Sequence, residues 1–132
     1  MSIHYRSLLR WEPGVPGGGV KKHYATIVLG DVVTIDEIVK EVEKFCSMTE
    51  PDIVAVIAAF EFVIETKLCQ SRYVQFNRLG TMYPRFSSTG VNTEEEVDET
   101  LISNQSIRYL PGKKLRQALA NAEYKKVEQV YK

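Results

Sequence analysis

Histidine and cysteine are scarce in this chain, and with them most catalytic and metal chemistry. The 132 residues include two histidines and two cysteines. Neither His4 nor His23 stands with a nearby Cys, Ser or carboxylate in a sequence pattern that suggests a catalytic unit, and both read as surface or sheet histidines. Cys46 and Cys69 have no Cys or His at metal-ligand spacing. They lie inside apolar helical patterns and read as two buried, reduced thiols. No run approaches the ~20 apolar residues of a membrane span. No apolar stretch follows an N-terminal basic region, so no signal peptide is expected and the setting is a reducing cytosol. Gly17-Gly18-Gly19 lacks the Gly-Lys-Ser/Thr of a phosphate loop. Glu94 to Glu96 lacks the alternating Asp/Asn of a calcium loop. Glu61 and Glu65 read as a solvated helix strip. No enzyme activity, cofactor, metal or small-molecule substrate is expected. Net charge is also missing: 17 Lys+Arg balance 17 Asp+Glu. That excludes a protein that coats nucleic acid by total charge alone.

Hydrophobic residues at 44% and charged residues at 26% are ordinary globular values, which exclude disorder throughout. Residues 1–30 read as an N-terminal extension and residues 31–132 as the main domain. In the extension, Pro13, Gly14, Pro16 and Gly17 to Gly19 break regular structure over residues 1–20. Tyr5, Leu8, Leu9 and Trp11 are apolar enough to dock on a sheet edge or a partner chain; partial disorder is the alternative. His23 to Leu29 is rich in β-formers and ends at Gly30-Asp31, which predicts a strand.

Thr34 and Glu37 form a capping-box pattern at the start of a helix. Ile35, Ile38, Val39, Val42, Phe45 and Cys46 then make one apolar stripe. Thr49 opens a second helix with Pro51 in its first turn. Here Ile53, Val54, Val56, Ile57, Phe60, Phe62, Val63, Ile64 and Leu68 cover most of the circumference. A helix apolar nearly all round must be buried nearly all round. A second copy of the chain is the simplest cover, which predicts a homodimer. The alternative is a monomer whose N-terminal extension covers the second face.

After Gln70 the period changes to two. Tyr73 to Phe76, Leu79 to Phe86 and Ser106 to Leu110 read as strands, with Pro84 expected at an edge or bulge. The stretch from Ser87 to Ser106 is too long for a tight hairpin. It reads as a long ribbon, an excursion or a loop, with Thr93 and Glu96 able to cap a short helical turn. Lys113 to Ala122 reads as a last helix, and 124–132 as its continuation or a frayed end.

Charge is segregated along the chain. Residues 31–64 hold eight acids and two bases, and residues 87–107 hold five acids and no Lys or Arg. Residues 65–86 carry Lys67, Arg72, Arg78 and Arg85 against Glu65. Arg108, Lys113, Lys114 and Arg116 cluster at one strand–helix junction. A basic face can therefore coexist with zero net charge.

Two segments carry a family likeness. Leu79-Gly80-Thr81-Met82 resembles the Gly-Thr-Phe turn, and Ile107-Arg108-Tyr109-Leu110-Pro111-Gly112-Lys113-Lys114-Leu115 resembles the Phe-x-Pro-Gly-Lys-x-Leu entry into the last helix, of the HU/IHF bacterial histone-like DNA-binding proteins. The likeness covers roughly residues 31–122. The preceding segment resembles that of an HU-like branch with an added N-terminus. The resemblance implies an α+β HU/IHF-like fold: two N-terminal helices, a three-stranded antiparallel sheet with a long excursion between its last two strands, and a C-terminal helix. It also implies an intertwined homodimer and a nucleoid-associated role in the cytoplasm, with double-stranded DNA as a sequence-independent partner.

In that family two arms embrace the minor groove and a proline near each tip intercalates. This chain departs there. No proline lies between Phe86 and Leu110, and five carboxylates stand where the family has cations. Carboxylates oppose phosphate binding. DNA is therefore expected on the sheet and last helix, held by Arg78, Arg85, Arg108, Lys113, Lys114 and Arg116 through phosphate neutralisation. The competing expectation is an HU-like dimer repurposed for protein interaction, suggested by the zero net charge and acidic excursion. A double-stranded RNA module fits poorly, because two consecutive helices precede the sheet.

Overall fold

The computed structural model describes residues 2–128. The chain divides into two compact units, residues 1–33 with 119–132, and Thr34–Ala118.

The first unit is a three-stranded sheet. β1 (Ser2–Trp11) runs antiparallel to β2 (Lys21–Val28), from His4↔Val28 to Trp11↔Lys21. The breaking residues of 1–20 are confined to the connection, where Gly14 and Gly17 take left-handed φ of 78° and 79°. Apolar β1 thus forms a strand, ahead of the one expected from His23. The hairpin is fastened at the end that carries this connection. Lys21 Nζ lies 5.0 Å from the Trp11 ring centroid, Arg10 lies 4.6 Å from that of Tyr24, and Lys22 pairs with Glu12.

The third strand comes from the other end of the chain. β6 (Glu123–Lys126) adds parallel to β1, from Ser2↔Glu123 to Tyr5↔Lys126. The expected helical continuation from Tyr124 is therefore replaced by a strand; residues 129–132 of that segment lie outside the described residues. The helix stops at Ala120 and Tyr124 Oη donates to Leu119 O at 2.8 Å, folding the chain back on the helix end.

The second unit begins with α1 (Ile35–Glu43). Thr34 Oγ1 accepts from Glu37 N at 3.4 Å, so the cap forms where the sequence places it. Thr34→Ala is expected to cost about 0.5–1 kcal/mol, read as a lower midpoint in thermal unfolding. α1 ends earlier than the apolar stripe. Phe45 and Cys46 fall past the last turn, and Phe45 is 88% exposed.

α2 (Glu50–Cys69) follows Thr49, whose hydroxyl donates to Asp52 Oδ2 at 2.8 Å. Ile53 and Leu68 are buried and Ile57 and Ile64 half-buried, which marks one helix face. The rest of the helix is uncovered: Phe62 is 67% and Val63 52% exposed, with Val54, Val56 and Phe60 similar. Cys46 and Cys69 are both free, but exposed rather than buried as expected, because no segment among the described residues covers their faces.

β3 (Val74–Gln75), β4 (Gly80–Ser88) and β5 (Ile102–Pro111) form an antiparallel sheet with β4 in the centre. This is the expected three-stranded sheet. α3 (Lys113–Ala120) follows at once. Among the described residues no helix is long and apolar enough to cross a membrane.

Candidate nucleic-acid interface

Strand alternation sorts the second sheet into two faces. Val74, Phe76, Met82, Ile107 and Tyr109 share the face turned to α2, where the Phe60 and Phe76 rings lie 5.9 Å apart. Gln75, Thr81, Tyr83, Arg85, Arg108 and Leu110 share the opposite face. Tyr83 stands directly across from Arg108, and Arg85 across from Ser106. Arg85 and Arg108 are thus diagonal neighbours on one outward face, within reach of the same ligand.

The remaining candidate cations gather at the other end of the sheet, around a close backbone junction. Gly80 pairs with Pro111, and Gly112 N donates to Leu79 O at 3.2 Å. Phe76 N donates to Gly80 O at 2.7 Å, and Tyr109 Oη donates to Leu79 O. A Cβ on Gly80, whose φ is +116°, would lie 2.0 Å from Leu110 O; one on Gly112 would lie 2.3 Å from Arg78 O. The two segments that carry the family likeness are therefore one physical feature, a crossing that only glycine permits. That crossing sets Arg78 beside the first turn of α3, with Lys113, Lys114 and Arg116. Arg85 lies five residues along β4 from Gly80, about 17 Å. Among the described residues none of the six cations has a carboxylate within 4.0 Å; the ion pair there joins Lys22 to Glu12.

The excursion is a β-ribbon with an acidic tip. β4 and β5 pair as far as Ser88↔Ile102, and Thr89 N donates to Leu101 O at 3.2 Å. A register shift between Arg85 and Ser87 sets Asn104 and Gln105 against Phe86 alone. Asn104 supplies the left-handed φ of 54° that such a bulge uses. Pro84 sits next to this bulge and beyond the reach of β3, where its missing N–H costs no ladder bond. At the tip, two short 3-10 turns, Glu94–Glu96 and Glu99–Leu101, hold four of the five carboxylates. Thr93 Oγ1 donates to Glu96 Oε1 at 3.0 Å, and Asp98 Oδ1 accepts from Thr100 N at 3.0 Å. The acidic tip and the cationic base of the arm are thus separated along its length.

Sequence reasoning misses one feature of this face. Ser71, with φ 62°, turns the chain out of α2, and Tyr73 then meets Tyr83 with ring centroids 5.0 Å apart. A concavity of about 440 Å³ opens beside them, lined by Leu68, Arg72, Pro84 and Phe86 among others. Both tyrosines are plain in the sequence, but their pairing depends on register. Among the described residues no cluster of His, Cys, Asp and Glu could hold a metal ion.

A helix pair, a three-stranded sheet with a long ribbon arm and a closing helix define an HU-like domain. The chain belongs to the family of HU domains fused to a wHTH, Ig or glycine-rich motif, which matches residues 1–126. The match spans sequence from both units. The crystal structure, at 2.25 Å resolution, of a candidate bacterial DNA-binding protein from Bacteroides vulgatus ATCC 8482 has the same fold. It matches with a TM-score of 0.70 at 13% identity, over 96% of this chain and 48% of that one. The chain thus spans about half the length of that protein. No curated protein matches this sequence.

Proposed function

We propose that this protein is a sequence-independent, architectural DNA-binding protein of the nucleoid, acting as a homodimer without a catalytic step. The observation that carries this reading is the outward sheet face on which Arg85 and Arg108 stand together, continued by Arg78, Lys113, Lys114 and Arg116 at the glycine crossing, with no carboxylate partner among the described residues. Unpaired cations on one sheet face and at the neighbouring helix start suit a row of phosphates, the contacts that position DNA without reading its sequence. The start of α3 adds unsatisfied N–H groups and the positive end of a helix dipole. The HU-like family and the DNA-binding name of the Bacteroides vulgatus protein support the same partner. The dimer rests on the uncovered apolar surface of α2.

Duplex binding is expected to fall steeply with salt. Six phosphate contacts per subunit, twelve per dimer, correspond to a slope of roughly −11 in log K against log salt. Arg108→Ala should flatten that slope by about 1 for each phosphate the arginine neutralises, on any duplex sequence alike. Fluorescence polarisation over a salt series measures both. Absence of binding even at low salt would refute the proposal.

A second reading draws on the acidic arm tip. Carboxylates at the end of a ribbon repel phosphate and suit a basic protein surface instead. Under this reading the HU-like dimer is a protein-interaction module with weak or no DNA binding. Partners retained after nuclease treatment would favour it, and recovery of DNA-tethered proteins alone would count against it.

A further inference from the structure

We infer that the outward face of β3 and β4 is a stacking platform for single-stranded DNA, with Tyr73 and Tyr83 meeting bases and Arg72, Arg85 and Arg108 meeting phosphates. This rests on the DNA-binding reading above and adds the form of DNA that the face prefers.

The platform is built from four observations. Tyr73 is 70% exposed, although its ring is fixed against Tyr83 at 5.0 Å and 40°. The two rings sit on the face that also carries Arg85 and Arg108, with Arg108 directly across from Tyr83. β3 begins at Val74, paired with Met82, so the β4 edge from Tyr83 onward is open. The concavity at that edge has apolar walls from Leu68, Pro84 and Phe86 and the Arg72 side chain among its lining.

Rings alternating with cations match a ligand that offers flat π faces and anions at short intervals. A single DNA strand does this. A duplex does not, because its base faces are covered by their neighbours and only edges and phosphates reach the surface. The arm holds no proline between Phe86 and Leu110 to open a base step, so the tyrosines would meet bases already unstacked. An acidic peptide would satisfy the arginines and leave the rings unused.

The test compares labelled oligothymidine with a labelled duplex of equal length, by polarisation, on the full chain. Tyr73→Ala should weaken oligothymidine binding roughly tenfold or more and change duplex affinity less than about twofold. Tyr73→Phe keeps the ring and should resemble the parent on both probes. Tyr73→Trp gives a second reading: emission added to that of Trp11 should be quenched by oligothymidine and not by duplex. Unchanged oligothymidine binding in Tyr73→Ala, equal losses on both probes, or a shifted oligomeric state would overturn the platform while leaving duplex binding intact as a finding. Tighter binding of the matching oligouridine would overturn its assignment to DNA. If the parent protein binds neither probe, the DNA-binding reading falls as well.

Discussion

Phe62→Glu is expected to turn the protein into a monomer and, with it, to weaken DNA binding by orders of magnitude. Ile53, Ile57, Ile64 and Leu68 mark the helix face that the chain itself covers. At 100° per residue Phe62 stands on the far side, among Ala55, Ala58 and Ala59. It is 67% exposed, so replacing it removes little packing within one subunit. In a symmetric dimer the side chain counts twice. Withdrawing two phenylalanines from water to this extent contributes about 2–4 kcal/mol, and two buried carboxylates add their own desolvation cost. Together these correspond to a loss of roughly a thousandfold or more in dimer affinity. A single subunit also presents half the cations, which flattens the salt dependence. Sedimentation equilibrium alongside a DNA titration measures both effects. A parent protein that is already monomeric at micromolar concentration would remove the basis for the dimer.

Gly80→Ala is expected to be the most damaging single substitution in the second unit. The new methyl would stand 2.0 Å from Leu110 O and 2.7 Å from Gly112 N. Both are backbone atoms of a paired strand and its exit, and cannot swing aside. The φ of +116° adds strain for any side chain. Relief requires parting β4 from the end of β5. That would also release the Gly112 N to Leu79 O bond that holds the start of α3. The cost should exceed about 4 kcal/mol, a value reached by few point mutations. Urea unfolding is the direct measurement, and a loss below about 1 kcal/mol would show that the crossing is looser than these distances imply. The same variant should weaken duplex binding, because this crossing brings Arg78 beside the α3 cations.

The elements legible in the sequence are those whose causes lie within a few residues. Thr34 and Glu37 are three apart and meet as expected. Thr93 and Glu96 do the same at the arm tip. The all-round apolar pattern of α2 appears as uncovered surface on one chain. The departures have longer causes. Tyr124 follows a helical pattern in the sequence, yet it pairs with Ile3, over a hundred residues away. β1 is masked by the glycines and prolines that follow it, because its partner β2 lies beyond them. Phe45 and Cys46 continue the α1 stripe by spacing, but the chain leaves the helix at Lys44 to turn towards α2.

The candidate site divides in the same way. The sequence alone determined which cations are available, that they crowd around one strand–helix junction, and that the arm tip is acidic. It also determined the HU-like class, through two short motifs. Only tertiary structure decided that those motifs are two sides of one glycine crossing, that Arg85 and Arg108 share a face, and that Tyr73 meets Tyr83. The reason is register. Side chains alternate faces with every residue of a strand, so a slip of one position against its neighbour would turn Arg108 towards α2. The residues around Arg108 do not fix that register by themselves; it is set by their pairing with β4, where Pro111 meets Gly80, on strands joined through a thirteen-residue loop between Ser88 and Ile102.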